Sequence, residues 1–248
     1  MNNYEKFSWL HRQEKPLILA NAWNARSAQV MEKAGYDAVA TSSGAISDSL
    51  GYADGEKMPF SELLYIIQRM SSCISIPLSV DLERGYTNDL DQLNEHIQKL
   101  IDVGVVGINL EDAQGEELYL KKLSSIKNYL AKTNQKLFIN ARTDVFLQKQ
   151  DAPLETTLRR AELYKTEGAD GIFVTGVREL SLVKKIASSL LLPLNVVGVP
   201  ELVSIQSLAE CGVKRISMAA FLYRATYNKL DKIAKDIRNE ESFKPLFD

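Results

Sequence analysis

Val103-Gly-Val-Val-Gly-Ile-Asn-Leu-Glu-Asp112 reads as the end of a helix, a glycine, a short turn and a buried strand whose far end turns acidic. Glycine supplies the positive φ that closes a helix. The same phrase recurs at Ala34-Gly-Tyr-Asp-Ala-Val39, Glu167-Gly-Ala-Asp-Gly-Ile172 and Cys211-Gly-Val-Lys-Arg-Ile216. Four copies of one αβ junction argue for repeated βα units. Working outward from them, the spacing predicts eight strands: Leu17–Trp23, Asp37–Ser43, Leu78–Glu83, Gly107–Asp112, Leu137–Thr143, Gly171–Thr175, Leu194–Val197 and Arg215–Met218. Helical patterns lie between them, among them Ser27–Lys33, a helix opened by Pro59, Leu158–Thr166 and Leu202–Cys211. Parallel strands joined by right-handed crossovers follow, and 248 residues give eight units of about 31 each. The expected fold is α/β, a (β/α)8 TIM barrel. An open doubly wound sheet is the runner-up, but its first strand normally runs into a Gly-rich phosphate loop, and here it runs into Asn21-Ala-Trp-Asn24. No Pro/Gly/Ser-rich linker divides the chain, so residues 1–248 are expected to form one domain, with about 219–248 as a C-terminal helical segment.

Composition narrows the function. Lys plus Arg number 30 against 32 Asp plus Glu, a net charge of −2, which leaves no basic footprint for nucleic acid. No apolar run approaches the roughly 20 residues of a membrane span, and the N-terminal MNNYEKFSWLHRQEK lacks a signal-peptide core. Cys73 and Cys211 have no metal-type spacing, and both are expected to be small buried hydrophobes. A cytoplasmic setting, with no membrane or nucleic-acid partner, is the expectation.

Side chains alternate along a strand, so Ser79, Asp81 and Glu83 are expected on one face, as are Asn109 and Glu111, and Asn140 and Arg142. In each strand the polar set sits late, at the end where barrel active sites lie. Asp112 or Asp144 taken alone is equally readable as a helix cap or loop charge. Three carboxylates converging from adjacent strands are different, because they repel unless a cation neutralises them. A hard divalent ion with oxygen ligands answers that need.

Six ordered motifs now stand out: Asn21-Ala-Trp-Asn-Ala-Arg-Ser-Ala28, Ala40-Thr-Ser-Ser-Gly44, Leu50-Gly-Tyr-Ala-Asp54, Val80-Asp-Leu-Glu-Arg-Gly-Tyr86, Gly107-Ile-Asn-Leu-Glu-Asp112 and Asn140-Ala-Arg-Thr-Asp144. Together they resemble the isocitrate lyase/phosphoenolpyruvate mutase superfamily, on its phosphonomutase-like and oxo-acid lyase side. The resemblance implies Mg2+, or Mn2+ in its place, at the barrel mouth. It implies an enzyme that makes or breaks a C–C or C–P bond beside a small 2-oxo acid through a metal-stabilised enolate. It places Asp81, Glu83 and Glu111 around the metal, with Glu83 where the family most often has Asp. It assigns Ser42, Ser43, Gly44, Trp23 and Arg142 to substrate binding, and Arg142 and Asp54 to catalysis. It also implies a homodimer or homotetramer that exchanges its last helix between subunits.

The departures are informative. Isocitrate and methylisocitrate lyases carry a Lys-x-Cys-Gly-His stretch after the Glu-Asp pair, and here the chain reads Ala113-Gln-Gly-Glu-Glu-Leu-Tyr-Leu. The mutase signature Lys-Thr-Asn-Ser is absent from it too. With no general acid there, Tyr52 and Tyr86 become candidate proton donors, while His11 and His96 fall away from the strand ends. A Schiff-base aldolase needs a strand lysine, and none of the eight strands has one. A protein of this fold that binds metal and oxo acid without turnover is the alternative.

Overall fold

The structure is a computed structural model that describes residues 1–247. Asp248, the last residue of the expected C-terminal segment, lies outside the described residues. The elements run α1 (Asn3–Leu10), β1 (Leu17–Ala22), α2 (Ala25–Lys33), β2 (Val39–Thr41), α3 (Ser43–Ser49), α4 (Phe60–Ser71), β3 (Leu78–Asp81), α5 (Leu90–Asp102), β4 (Val105–Glu111) and α6 (Glu116–Thr133). They continue with β5 (Phe138–Thr143), α7 (Pro153–Thr166), β6 (Gly171–Val174), α8 (Leu180–Ser189), β7 (Leu194–Val197), α9 (Ile205–Glu210), β8 (Arg215–Ser217) and α10 (Phe221–Glu240). A short 3-10 turn covers Lys244–Leu246. All eight strands pair in parallel and in chain order, and β8 closes on β1 with Leu17 opposite Arg215.

Local chemistry sets the helix ends. Asn24 caps α2 by accepting from the Ser27 amide at 2.8 Å. Pro153 occupies the first turn of α7, where its missing N–H costs nothing. Gly35 and Gly104 take φ of +86° and +89° just past α2 and α5, and the same turn repeats at Gly168 and Gly212. α5 buries Leu93, Ile97 and Leu100, a helix-period stripe laid on the sheet.

Outward-facing Ile108, Leu110, Ile139, Ile172, Val196 and Ile216 belong to the core shared with the helices. The barrel floor is a separate cluster of Leu17, Leu19, Ala38, Ala40 and Phe138, plugged from below by Phe7 and Leu10 of α1. Above the floor the interior is polar. Asn140 donates to the Asn109 and Asn195 side-chain oxygens at 2.9 and 3.0 Å, and Arg215 donates to Asn109 at 3.1 Å. Asn109 and Asn140 pair on adjacent strands, whereas the bonds from Asn140 to Asn195 and from Arg215 to Asn109 join strands that are not neighbours, so these two cross the lumen. Burial pulls the fully enclosed Arg215 guanidinium down to about 9, with the Asp81 charge opposing that shift.

Four expectations need correction. β2 stops at Thr41 rather than Ser43, and Ser42 caps the short helix α3. Pro59 stands at the N-cap of α4 rather than inside it. β3 ends at Asp81, so Glu83 is not on the strand. Both cysteine thiols are free and only half-buried, at helix ends rather than in the core.

His11 lies at the barrel floor, stacked on Phe138 with ring centroids 4.2 Å apart. Its Nδ1 donates to the Phe7 carbonyl at 2.8 Å. Burial, aided by the Arg215 charge, holds its pKa down to about 3. The unfolded chain takes up this proton near pH 6.5 and the folded chain only near 3. Stability therefore falls as the pH drops below 6.5, by about 1.4 kcal/mol per unit from this group. In urea unfolding between about pH 6.5 and 4.5, His11→Gln should show a shallower loss than wild type. Parallel slopes would contradict a buried neutral imidazole.

Candidate active site

Asp81 is the last residue of β3. Its amide donates to the Thr41 hydroxyl at 2.8 Å, and its Oδ2 accepts from the Ser43 hydroxyl and amide at 2.8 and 3.3 Å. Its Oδ1 is buried and has no hydrogen-bond partner. Past Asp81 the chain turns sharply, with the Gly85 amide donating to the Leu82 carbonyl at 2.9 Å. Glu83, Gly85 and Tyr86 take φ of +49°, +103° and +61°. Such conformations cost non-glycine residues about 1–3 kcal/mol each and persist only where the surroundings over-determine them. The turn, not strand alternation, brings the Glu83 carboxyl to the mouth. It is buried there and accepts from the Tyr86 hydroxyl at 2.9 Å. Burial, and then the Asp81, Asp54 and Glu56 charges, push Glu83 up to about 7 against the Tyr86 bond.

Glu111 ends β4 and Arg142 stands beside it on β5, paired in register. Arg142 Nη1 lies 2.9 Å from Glu111, and its Nε and Nη2 grip Asp144 at 2.8 and 2.9 Å. Thr175 donates to Asp144 in turn, which fixes the plane of the guanidinium. Burial raises the Glu111 carboxyl well above the usual range, and the charges of Asp81, Asp144 and Glu83 add to this. Arg142 relieves Glu111 only in part, because two of its nitrogens belong to Asp144. Asp54 packs against Gly44, where an added Cβ would sit 3.2 Å from its carboxylate.

The structure therefore brings Asp81, Glu83, Glu111 and Arg142 into one electrostatic unit, with Asp54 close enough to shift Glu83. The Ser42–Gly44 segment is the start of α3, and the Ser43 amide already serves Asp81 rather than standing open for a ligand. Trp23 is buried edge-on against Tyr223 of α10, with ring centroids 5.3 Å apart. Tyr86 lies in the site, whereas Tyr52 is tied to Glu62 of α4 at 2.8 Å. Among the described residues, no three His, Cys, Asp or Glu side chains stand close enough to ligate one ion together. The expected trio of Asp81, Glu83 and Glu111 is thus an acidic surround and not a closed cage. An unpartnered buried carboxylate oxygen among acids that cannot all ionise fits a hard cation that keeps several waters.

Several partners escaped the sequence reading. Glu56 and Lys122 bind the backbone of the turn after β3, and no periodicity marks them. Asp112, readable as a cap, is a buried acid held by Arg160 at 2.7 Å and by the Tyr164 hydroxyl at 2.6 Å. A hollow of about 1120 Å³ lined by Trp9, Pro16, Tyr36 and Ile205 lies elsewhere and includes none of the mouth acids.

Residues 7–238 match the family described as phosphoenolpyruvate phosphomutase. The 2-methylisocitrate lyase of Escherichia coli (strain K12) is 25% identical, over 95% of this chain and 84% of its own length. A crystal structure from Burkholderia cenocepacia J2315, provisionally described as a phosphonomutase, superposes with a TM-score of 0.90 at 34% identity, covering 94% of this chain and 99% of that one. A phosphonopyruvate hydrolase complexed with oxalate and Mg2+ shares the fold, with a TM-score of 0.87 at 19% identity, covering 98% and 89%.

The buried position of Asp112 has a measurable consequence. Removing one partner of a buried, hydrogen-bonded ion pair costs about 3–5 kcal/mol. Asp112→Ala should lower unfolding stability by that order, and a loss below about 1 kcal/mol would place Asp112 at the surface.

Proposed function

The chain belongs to the phosphoenolpyruvate phosphomutase family, within the isocitrate lyase/phosphoenolpyruvate mutase superfamily of lyases and phosphomutases, and from that premise we propose the following reaction. The protein breaks or makes a C–C or C–P bond beside a small 2-oxo acid, with Mg2+ as cofactor. The observation that carries this reading is the buried Asp81 oxygen without a partner, set among Glu83 and Glu111 and balanced across the mouth by Arg142. Asp81, Glu83 and Glu111 would hold the cation. When bound, it supplies Lewis-acid stabilisation of the oxygen that gains charge as the bond breaks.

The chain's own residues do the rest. Arg142, fixed by Asp144, orients a substrate carboxylate and offsets the charge of the departing enolate. Asp54, across Gly44, lines the same mouth and acts on the substrate there. The Tyr86 hydroxyl, oriented by its hydrogen bond to Glu83, carries a proton that the enolate carbon can take up. Ser42, Ser43 and Gly44 shape the wall beside Asp81, and Trp23, just past β1, joins them in binding substrate. Ala113-Gln-Gly115 is all that separates Asp112 from α6, and it has neither Cys nor His. That shortness favours a reaction other than isocitrate or methylisocitrate cleavage.

Residues 1–247 act as one domain in this reading, in the cytoplasm, where the free thiols of Cys73 and Cys211 stay reduced. No described helix is long and apolar enough to cross a membrane. α10 buries only Tyr223 and leaves Tyr227 and Leu230 exposed, so it packs against a second copy in a homodimer or homotetramer.

Three measurements test the reading. Wild type with Mg2+ should turn over at least one of oxaloacetate, phosphonopyruvate or a branched 2-hydroxy diacid, and Asp81→Ala should not; equal rates would overturn the assignment. In the cation-free protein, Glu83 stabilises the fold at low pH, and that contribution is lost as the pH rises from 4.5 through about 7. Mg2+ should therefore raise Tm more at about pH 8 than at about pH 6, and an equal rise at both would count against Glu83 as part of the cation's surround. Light scattering should give a dimer or larger, and a monomer would refute the role of α10.

A further inference from the structure

The turn that carries Glu83 and Tyr86 is strained at both of those residues, yet its backbone is gripped from three directions. Glu56, itself at φ +61°, reaches over from the segment between α3 and α4. Its Oε1 accepts from the backbone amides of Arg84 and Tyr86 at 2.9 and 2.8 Å. Its Oε2 accepts from Arg84 Nε at 3.2 Å, with Arg84 Nη2 at 3.1 Å. Arg84 Nη2 also donates to the Gly55 carbonyl at 2.9 Å. From below, the buried Lys122 of α6 donates to the Arg84 carbonyl at 2.6 Å, and to Asn88 and Gln114 at 3.1 Å each. His96 of α5 donates to the Gly85 carbonyl at 3.0 Å. Two amides converging on one carboxylate oxygen form an anion-binding nest, and here the protein fills the nest itself.

We propose that Glu56 is a positioning residue: it latches the segment after α3, which bears Asp54, onto the turn after β3, and so sets the places of Glu83 and Tyr86. Lys122 and His96 hold the carbonyl side of that turn whatever the segment after α3 does. The amide side has Glu56 for its carboxylate, so the latch, with Arg84 reaching back to the Gly55 carbonyl, joins the β2 side of the mouth to the β3 side. Asp54 and Glu83 are then held in register by one carboxylate that touches neither of them. This proposal rests on the reading that Glu83 and Tyr86 belong to the reacting site.

The test uses the full chain and two readouts. Hydrogen–deuterium exchange across the segment 82–89 reports the latch, and calorimetric titration with MgCl2 reports the site. In Glu56→Ala, exchange in this segment should accelerate by about tenfold or more and Mg2+ affinity should fall by about tenfold. Glu56→Gln keeps an Oε1 acceptor for both amides and loses the charge toward Arg84. It should retain most of the protection, and it keeps the test decisive if the alanine variant folds poorly. Lys165→Ala, which breaks an exposed ion pair to Glu162 on α7, should leave both readouts unchanged. Unaltered exchange in Glu56→Ala overturns the latch. Faster exchange with unaltered Mg2+ affinity overturns its role in positioning the site. If wild type binds no Mg2+, the functional reading fails, while the exchange comparison still decides whether the latch exists.

Discussion

Like charges forced together at low dielectric are the constraint on which the rest of this structure depends. Closing eight parallel strands aims the ends of β3 and β4 into one mouth, and three carboxylates arrive there with little water to separate them. The protein meets the repulsion in stages. Arg142 takes one side, clamped by Asp144 so that it cannot swing away. Ser43 ties down one oxygen of Asp81. The Tyr86 hydroxyl donates to Glu83 and steadies a third carboxyl. Deeper in the lumen, the uncompensated Arg215 adds a positive floor that feels Asp81. What these devices leave undone is one buried carboxylate oxygen with nothing to bind, which is where an added cation gains the most.

The parts legible in the sequence were those governed by local periodicity. The Gly-containing αβ junctions, the eight strands and the inward set Asn109, Glu111, Asn140 and Arg142 all follow from alternation and helix capping. Glu83 shows why the method stops at strand ends. Alternation put it at the mouth for the wrong reason, since β3 has already ended and a left-handed turn does the placing. Ser42 and Ser43 read as the end of a strand, yet Ser42 caps α3, because side-chain capping by serine leaves no mark on strand alternation. Glu56, Lys122 and Arg160 carry no local signal, because each acts on a backbone or side chain more than 25 positions away.

Shared fold and shared mouth chemistry do not select one reaction. The relatives range over lyase and phosphomutase chemistry, and all such reactions place negative charge on an oxygen next to the bond that changes. In the proposed reaction the mouth serves that common demand. Choice among reactions lies in what covers the substrate, and here the connection after β4 is short while the segment after α3 is long and pinned down.

The pairing of β1 with β8 also bears on how the molecule is made. Leu17 sits opposite Arg215, so during translation the first strand leaves the ribosome long before its closing neighbour exists. Until then the nascent sheet has two bare edges and an Asn-lined lumen open to water, and bare edges invite pairing with other chains. Folding that waits on contacts this distant in sequence is slow. The finished barrel has no edge at all, and its hazard is confined to the time before the last strand arrives.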